Sequence, residues 1–462
     1  MTIFLTHGYF IGDDPKEQEI MKPYVPLGIL YISSYLEEYG YDNFIFDSTF
    51  SAVSELKQQL LARQPDLIGI YTNLMTKLNV LHIIRFIKEQ EALKHSKIIL
   101  GGPEVRNHVT GFINAGATVL VLGEGEQTML ELAQYYNGDS GFKLKDIQGI
   151  AFMDENGSII RSAPRMNLRN MEALPFPNRK KVNLQLYFDA WKNRHGESAI
   201  SVSTMRGCPY TCRWCSRAVY GQTYRRRNAE QVVEELALIQ KNYTADTIWF
   251  VDDVFTISHK WLHEFVDALR RQQLKIRYEC ITRSDRMNEA VIQLLKESGC
   301  FRVWIGAESG SQKVIDAMDR RVDVLQVREM IQSAKKHGIQ AGTFIMVGYP
   351  GETDEDIRQT LAHLKQSDPD QYTITVAYPI KGTPLYEEVE SKMMEQLPWE
   401  SSTDRQIDFK RTYSRKYYDY AVRWIYNEMA VNRINGDAKS IMKYKIKSLA
   451  ARVLMRWEMM RS

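Results

Sequence analysis

The sequence contains little cysteine, no long apolar run and almost no net charge. Only five of the 462 residues are cysteine, and their uneven spacing indicates a reducing compartment rather than a disulfide framework. No segment approaches the roughly 18 consecutive apolar residues of a membrane-spanning helix. The first residues, MTIFLTHGYFIGDD, lack the basic leader and apolar stretch of a secretory signal. We therefore expect a cytoplasmic protein.

Length and composition are those of a globular protein with more than one domain. A chain of 462 residues with 44% hydrophobic and 25% charged residues is too long for one ordinary core. The net charge of +3 hides an asymmetry, since residues 405–462 hold 14 Lys or Arg and only 5 Asp or Glu. This basic tail is either a solvated helical surface or a surface for an anionic substrate, a membrane face or a redox partner.

Three of the five cysteines, Cys208, Cys212 and Cys215, follow the spacing C-x₃-C-x₂-C. Three thiolates at this spacing can bind three irons of a [4Fe–4S] cluster and leave the fourth iron open to a small molecule. Thiolates also suit zinc, but a zinc site needs a fourth Cys or His at ligand spacing. Neither Cys280 nor Cys300 has a partner motif. The triplet therefore favours an iron–sulfur centre over zinc or a chance group of buried thiols.

Residues 1–150 alternate short apolar runs with helix-length amphipathic segments. This alternation predicts an α/β domain with a doubly wound, Rossmann-like parallel sheet covered by helices on both faces. The predicted strands are 2–6, 43–47, 67–71, 97–101 and 118–122, and the predicted helices are 27–39, 53–63, 78–89 and 127–136. Small or polar residues follow four strands, at the edge where such sheets bind ligands. They are His7-Gly8, Thr72-Asn73-Leu74, Gly101-Gly102-Pro103-Glu104 and Gly123-Glu124-Gly125-Glu126.

Residues 196–390 alternate strands and helices again, after a connector at 151–195 that begins with a hairpin-like segment at 151–161. Six strands, at 199–203, 247–251, 276–281, 302–307, 341–347 and 372–378, predict a (β/α)₆ partial TIM barrel with its chemistry at the carboxyl ends. Asp252 and Asp253 follow the second strand and either bind an ammonium group or cap the next helix. Arg283 follows the third strand and suits a carboxylate. Residues 391–462 are predicted to form a helical C-terminal region, with helices at 414–429 and 438–461.

The cysteine triplet, with Trp214 before its third member, resembles the signature of the radical S-adenosylmethionine (SAM) superfamily. The stretches G-x-E-S-G-S at 306–311, G-x-P-G-E-T at 348–353 and Y-P-x-x-G-T-P at 378–384 resemble further elements of that superfamily. The resemblance implies a [4Fe–4S] cluster on Cys208, Cys212 and Cys215, which cleaves SAM to a 5′-deoxyadenosyl radical. It implies SAM contacts from Trp214, Asp252, Asp253, Arg283, Glu308, Ser309, Gly348 and Pro350.

The order strand–Thr-x-Leu–helix–strand–Gly-Gly resembles the cobalamin-binding domain that precedes many radical SAM domains. The group includes the anaerobic magnesium-protoporphyrin IX monomethyl ester cyclase and class B radical SAM methylases. The resemblance implies cobalamin contacts from Thr72, Asn73, Leu74, Gly101, Gly102, Gly123, Glu124, Gly125 and Glu126. The sequence lacks the motif D-x-H-x-x-G, whose His is the lower axial ligand in many such domains. His7 is an axial candidate by position only, and a lone His there is more often structural.

The resemblance implies a cobalamin-dependent radical SAM enzyme that functionalises an unactivated carbon, with C-methylation through methylcobalamin favoured. Oxidative cyclisation or rearrangement of the porphyrin-cyclase type is the alternative. A non-catalytic cobalamin or SAM sensor is the alternative from another class, and the intact triplet argues against it. We expect an anionic or lipid-like small-molecule substrate, a flavodoxin- or ferredoxin-type electron donor and no nucleic acid. The helical tail would cover the substrate, and its basic residues allow peripheral membrane contact.

Overall fold

A computed structural model of the chain describes residues 1–139, 141–395, 397–434 and 437–461. The chain divides into two compact units. The first comprises Met1–Pro209, Ser216–Thr247 and Leu397–Asp404. The second comprises Tyr210–Cys215, Ile248–Gln396 and Arg405–Ser462. The first unit thus reaches beyond the predicted domain limit at residue 150 and includes a short segment from the C-terminal region.

The first unit is built on a seven-stranded sheet in the order β2-β1-β3-β4-β5-β6-β7. The five strands predicted from the sequence pair in parallel, which confirms the doubly wound architecture. Two antiparallel strands, β6 and β7, lie in the stretch predicted as a connector and extend the sheet. The strands are β1 Ile3–His7, β2 Asn43–Phe46, β3 Leu67–Tyr71, β4 Lys97–Gly101, β5 Val119–Val121, β6 Ile150–Met153 and β7 Ile159–Arg161.

Helices cover the apolar strands of this sheet. Because central strands such as β1 are buried along their whole length, they carry continuous apolar runs instead of an alternating pattern. Phe4, Ile84 and Leu100 are fully buried in the core, and Trp399 packs against its edge. The edge-to-face contact of Trp399 with Phe112, at 4.9 Å between ring centroids, explains why the segment Leu397–Asp404 belongs to this unit. The helices of the first unit are α1 Pro15–Ile20, α2 Leu27–Glu38, α3 Val53–Arg63, α4 Lys77–Glu89, α5 Val109–Asn114, α6 Glu126–Asn137, α7 Leu184–His195 and α8 Ala229–Asn242.

A second sheet has six strands in the order β15-β14-β13-β12-β11-β8. Strands β11 to β15 pair in parallel, each with the next in the chain, which confirms the predicted (β/α)₆ partial barrel. Two further short strands, β9 and β10, pair only with each other. The strands are β8 Ala199–Val202, β9 Met205–Arg206, β10 Arg225–Arg226, β11 Thr247–Phe250, β12 Tyr278–Thr282, β13 Cys300–Glu308, β14 Gln340–Val347 and β15 Gln371–Val376.

Capping side chains fix where the helices of the second unit begin. Ser258, Asn288 and Asp323 each accept a hydrogen bond from a backbone N–H in the first turn of the following helix. Thr353 and Asp356 form a reciprocal capping box. The helices are α9 His259–Arg271, α10 Glu289–Glu297, α11 Gln312–Ala317, α12 Val324–Lys336, α13 Asp354–Ser367, α14 Pro384–Val389, α15 Arg415–Arg433 and α16 Ala438–Arg461.

The two long tail helices, α15 and α16, pack as an antiparallel pair. The Ser414 hydroxyl donates to Glu458 over 2.6 Å, and the Ser448 hydroxyl donates to Glu428 over 2.5 Å. The beginning of one helix therefore meets the end of the other. None of the helices in the described parts of the chain is long and apolar enough to cross a membrane.

Candidate functional site

The three cysteines lie in the loop between β9 and β10. These strands form a short antiparallel ladder in which Arg206 is opposite Arg225. Gly207 opens the loop with a φ of +84°, and a Cβ at this position would lie 2.6 Å from the Thr223 carbonyl oxygen. A residue with a side chain would therefore both clash and adopt an unfavourable backbone conformation. Glycine is required for the turn that leads into Cys208.

The cysteines differ in exposure: Cys208 is half-buried, Cys212 is buried and Cys215 is exposed. Within the described residues, no three His, Cys, Asp or Glu side chains converge as they would around a single metal ion. A cubane cluster does not require such convergence, because each thiolate binds a different iron atom. The ligand set of three cysteines stays a prediction.

The second half of the cysteine loop is fixed to the second unit by backbone and side-chain contacts. The Arg213 N–H donates to the Met318 carbonyl over 3.1 Å, and the Arg213 carbonyl accepts from the Leu385 N–H over 2.9 Å. Trp214 packs against an apolar cluster that includes Tyr349. Trp214 was predicted to contact SAM, and the structure places it as an apolar anchor of the loop.

Two buried arginines face the sulfur of Cys212. Nη1 of Arg283 and Nη1 of Arg320 each lie 3.8 Å from this Sγ. Arg283 also donates to Asp285 over 2.8 Å and to the Arg320 carbonyl over 2.7 Å, and it stacks 3.7 Å from the ring centroid of Tyr210. Arg283 was predicted to bind the SAM carboxylate. In this structure its donors are directed to protein groups beside the cysteine loop.

Arg320 occupies a space that the backbone of β13 leaves open. A Cβ at Gly306 would lie 2.3 Å from Nη2 of Arg320, and this nitrogen donates to the Gly306 carbonyl over 2.9 Å. Glu308 lies 3.7 Å from the same guanidinium and adopts a φ of +65° at a shift in strand register. Burial raises the pKa of Glu308, while the charges of Arg320 and Arg283 oppose that rise.

Arg320 is a site residue that the sequence did not predict. It lies in the run Asp319-Arg320-Arg321, between α11 and α12 and outside every strand-end motif. Such a charged run is typical of a solvated loop. Only the burial of Arg320 in the folded chain distinguishes it from Arg321.

The remaining predicted SAM residues lie at strand ends. Asp252 is buried, and desolvation together with the Asp252 charge raises the pKa of Asp253. The Ser309 hydroxyl lies 3.2 Å from the Thr360 hydroxyl and accepts a hydrogen bond from the Ser311 N–H, so it holds the end of β13 against α13. Gly348, with a φ of +79°, donates its N–H to Glu352, and Pro350 follows in the same turn.

Glu352 is a second group whose role the sequence did not predict, although it lies in the stretch G-x-P-G-E-T. It is fully buried, and its Oε1 has no hydrogen-bond partner in the described parts of the chain. Burial raises the pKa of Glu352 to about 8. Arg411 from the tail donates to the carbonyls of Gly348 and Ala377 over 3.1 and 2.8 Å. Arg411 thus ties together the ends of β14 and β15.

At the edge of the first sheet, Thr72 and Gly102 are in close backbone contact. A Cβ at Gly102, whose φ is +108°, would lie 2.2 Å from the Thr72 carbonyl oxygen. The Thr72 hydroxyl is buried and has no hydrogen-bond partner in the described residues. Asn73 accepts from the N–H groups of Met75 and Thr76, which closes the turn before α4. The unpaired Thr72 hydroxyl fits a polar ligand group at this edge.

The carboxylates of Glu124 and Glu126 have protein partners. Nη1 of Arg206 lies 2.9 Å from Glu124 and 3.2 Å from Glu126, and Arg225 donates to Glu124 over 2.7 Å. Although burial raises the pKa of Glu124, Arg206 and Arg225 together hold it below its usual value. The structure thus pairs these two carboxylates with arginines, where the sequence predicted cobalamin contacts.

Gly123, Gly125 and Gly101 complete the predicted cobalamin set. A Cβ at Gly125 would lie 2.8 Å from the side chain of Ile32, so this glycine lets α2 pack closely. Among the described residues, chain neighbours aside, a Cβ at Gly123 or Gly101 would have its nearest contact at 3.9 Å. Gly123 and Gly101 leave space beside the strand ends, and Leu74 is half-buried there.

Both ring nitrogens of His7 are engaged in hydrogen bonds. Nε2 lies 3.0 Å from Asp47, and Nδ1 accepts from the Tyr9 N–H over 3.1 Å. These contacts hold the ring against β2 and the following turn. They agree with a structural role for His7.

Comparison with known proteins matches two families along the chain. Residues 202–364 match the radical SAM superfamily, and residues 19–133 match the B12 binding domain. An uncharacterised methyltransferase of Pyrococcus horikoshii is 29% identical over 370 residues, which cover 78% of this chain and 78% of that protein. The anaerobic magnesium-protoporphyrin IX monomethyl ester cyclase of Rubrivivax gelatinosus is 24% identical over 391 residues, covering 81% and 68%.

Two solved structures have a similar fold. The cobalamin-dependent S-adenosylmethionine radical enzyme OxsB, with aqua-cobalamin bound, superposes with a TM-score of 0.76 at 18% identity and covers 98% of this chain and 72% of its own. The radical S-adenosylmethionine methyltransferase TsrM of Kitasatospora setae, with cobalamin and a [4Fe–4S] cluster bound, gives 0.73 at 14% identity and covers 98% and 99%.

Proposed function

We propose a cobalamin-dependent C-methyltransferase activity for this chain, which belongs to the radical SAM superfamily and carries a B12-binding domain. The chain is an enzyme, and its cofactors are a [4Fe–4S] cluster, SAM and cobalamin, as the sequence predicted. The main support for methyl transfer is that one chain contains both cofactor-binding domains and is similar to a methyltransferase over 78% of its length.

When bound, the cluster and SAM supply a radical that removes hydrogen from an unactivated carbon, and cobalamin supplies the methyl group. Cys208, Cys212 and Cys215 would hold the cluster. The guanidinium groups of Arg283 and Arg320, each 3.8 Å from the Cys212 sulfur, place positive charge next to a ligand that binds iron as a thiolate. Hydrogen bonds to the backbone carbonyls of Arg320 and Gly306 hold these two guanidinium groups in place beside the loop.

The strand ends of the second unit supply groups suited to SAM. The carboxylates of Asp252 and Asp253 suit its ammonium group, because charge-assisted hydrogen bonds are the stronger ones. The unpaired Oε1 of Glu352 is a further acceptor or donor at the same edge of the sheet. Burial raises the pKa of Glu352 to about 8, so it carries a proton at neutral pH and can donate a hydrogen bond.

The edge of the first sheet supplies groups suited to cobalamin. The buried hydroxyl of Thr72 can satisfy its hydrogen bond on the cofactor, and Gly101, Gly102 and Gly123 leave room for a bulky ligand. In this arrangement the carboxylates of Glu124 and Glu126 accept hydrogen bonds from Arg206 and hold it in position. Arg206 precedes Cys208 by two residues.

The cellular setting forms part of the proposal. Five cysteines without the even spacing of a disulfide framework, and an oxygen-sensitive cluster, favour the cytoplasm, where a flavodoxin- or ferredoxin-type protein would donate the electron. The substrate would be an anionic or lipid-like small molecule. The basic residues of the tail support this charge preference.

The test is SAM cleavage by the anaerobically reconstituted protein. With reductant and SAM we expect formation of 5′-deoxyadenosine, together with loss of activity in Cys212→Ala. Cys300→Ala is the matched control, since Cys300 is buried but lies outside the triplet. A complete cluster without SAM cleavage under reducing conditions would refute the enzyme mechanism.

The type of product separates methylation from its alternative. Metabolite mass spectrometry of cells with and without the protein should show a product heavier by one methylene group. A product that has lost hydrogens and gained a ring would instead establish oxidative cyclisation. The relative from Rubrivivax gelatinosus is named as a cyclase.

A further inference from the structure

One face of α16 carries an exposed row of large apolar side chains. Leu449 and Met460 are 66% and 78% exposed. The opposite face, which includes Ala451 and Met455, is buried. The exposed side chains recur every three or four residues and so form one stripe along the helix. The row, called the apolar stripe below, consists of Met442, Ile446, Leu449, Val453, Trp457 and Met460.

Basic side chains border the apolar stripe on both sides. At about 100° per residue, Lys445 and Arg456 fall on one side, and Lys443, Lys447 and Arg461 fall on the other. The helix has seven Lys or Arg residues and one acidic residue. That residue, Glu458, is buried and accepts a hydrogen bond from Ser414. The exposed surface of α16 is therefore apolar in the middle, cationic at its borders and without an exposed carboxylate among its described residues.

This pattern favours an anionic lipid surface over a second copy of the chain. Contiguous exposed apolar patches of this kind mark interaction sites. Two copies joined through the apolar stripe would bring like charges together, whereas paired helices place opposite charges at such flanking positions. An anionic bilayer offers acyl chains to the stripe and phosphates to its borders. Trp457, which is 46% exposed, has the amphipathic ring that settles at the headgroup level.

We propose that α16 lies along the surface of an anionic lipid bilayer. The apolar stripe enters the boundary between headgroups and acyl chains, and the bordering lysines and arginines contact lipid phosphates. The contacts of α16 with its own unit stay intact: Arg452 donates to Asp354 at the start of α13 over 2.5 Å, and Ser448 donates to Glu428. The helix therefore docks as part of a folded unit and needs no unfolding to reach the lipid. This inference goes beyond the proposed function and does not rest on it.

The experiment is vesicle flotation of the full, anaerobically reconstituted chain. We expect binding to vesicles of phosphatidylcholine and phosphatidylglycerol in equal amounts, at least about tenfold stronger than to phosphatidylcholine alone. High salt should weaken it. The double variant Leu449→Glu/Val453→Glu should bind at least about tenfold less. Lys443→Glu/Lys447→Glu should lose the preference for the anionic lipid. The matched control is Leu325→Glu on α12. Leu325 is 59% exposed, similar to the 66% of Leu449, and lies outside the stripe, so this variant should bind as the unchanged protein does.

Two results would overturn the proposal. One is equal flotation of the unchanged chain and the Leu449→Glu/Val453→Glu variant, or no flotation of either. The other is a dimer in sedimentation velocity without lipid that this variant converts to a monomer, since the stripe would then be an interface between copies. SAM cleavage in lipid-free buffer, measured on the same samples, keeps the two proposals separate. Retained cleavage shows that a variant is folded, and its absence in the unchanged chain bears on the proposed function alone.

Discussion

The guanidinium of Arg320 lies 3.8 Å from the sulfur of Cys212, although 108 residues separate them in the chain. The same guanidinium donates to the Gly306 carbonyl and lies 3.7 Å from Glu308. Arg320 therefore links the cysteine loop to the end of β13 and places a buried positive charge between a sulfur and a carboxylate. The charges of Glu308 and Cys212 raise the pKa of Arg320 against the effect of its burial, so it stays charged.

Replacing Arg320 with methionine should make the cluster harder to reduce. Loss of one nearby positive charge disfavours the more negative, reduced form, and we expect a midpoint potential lower by on the order of 50 mV. A redox titration followed by electron paramagnetic resonance measures this shift. Arg320→Lys keeps the charge and should shift the potential less. Equal potentials in the unchanged protein and Arg320→Met, at equal iron content, would contradict the electrostatic role.

Glu352 should make the stability of the protein fall as the pH rises. Its pKa is about 8 in the folded chain because of burial, whereas the ordinary pKa of a glutamate, taken for the unfolded chain, is 4.5. Its stabilising contribution is complete below about pH 4.5 and is lost as the pH rises to about 8, at about 1.4 kcal/mol per pH unit. Glu352→Gln should flatten this dependence and raise the melting temperature at pH 8 by roughly 5 °C relative to the unchanged protein.

Differential scanning fluorimetry between pH 5 and 9 checks this prediction. The matched control is Glu355→Gln, because Glu355 is exposed three residues further along the chain. It should leave the slope of melting temperature against pH unchanged. If Glu352→Gln kept the slope of the unchanged protein, the buried carboxyl would not be the group that titrates.

Removing Glu126 should destabilise the first unit. Arg206 would lose one of its two buried counter-charges and keep Glu124, and breaking a buried ion pair costs up to about 3 kcal/mol in such a case. We expect Glu126→Gln to unfold at lower denaturant and to incorporate less iron, because Arg206 lies two residues before Cys208. Chemical denaturation and iron analysis provide the two measurements.

The exposed ion pair of Glu91 and Lys94 gives the control for this prediction. Glu91→Gln should change stability by less than about 0.5 kcal/mol, since solvent screens such pairs. Combining Glu126→Met with Arg206→Met should recover part of the lost stability, because it removes the uncompensated charge. A double variant no more stable than Glu126→Gln would show that the loss does not come from the excess positive charge of Arg206.

Thr72→Val should weaken cobalamin binding without lowering the stability of the apoprotein. The Thr72 hydroxyl has no hydrogen-bond partner within the described residues, so its loss costs the free chain nothing. The loss of one hydrogen bond to cobalamin corresponds to about tenfold weaker binding. Spectroscopic titration with hydroxocobalamin measures the affinity.

Thr6 is the contrasting position for the Thr72 experiment. Its hydroxyl donates to the Phe46 carbonyl over 2.8 Å. Thr6→Val should therefore lower apoprotein stability by about 1 kcal/mol and leave the affinity for cobalamin unchanged. Unchanged affinity in Thr72→Val would place the cofactor elsewhere on the sheet.

The succession of strands and helices was predictable because it depends on local periodicity. Strands β3 and β4 and helices α3 and α16 have the predicted limits. The hairpin of β6 and β7 was predicted at residues 151–161 but assigned to a connector, because the pairing of β6 with β5 that adds it to the first sheet is a tertiary contact. Site residues were predictable only where the residue type and its spacing are enough to indicate the chemistry, as in the cysteine triplet.

The sequence by itself determined the radical SAM and cobalamin character of the protein, through the spacing of Cys208, Cys212 and Cys215 and the order of strand-end motifs. Tertiary structure decided which charges surround those motifs. Arg320 beside Cys212 and Arg206 beside Glu126 come from distant parts of the chain, and both are buried. Burial also raises the pKa of Glu352. The packing of one face of α16 leaves its other face exposed. Spacing is a short-range property that a sequence displays, whereas burial and ion pairing exist only after the chain has folded.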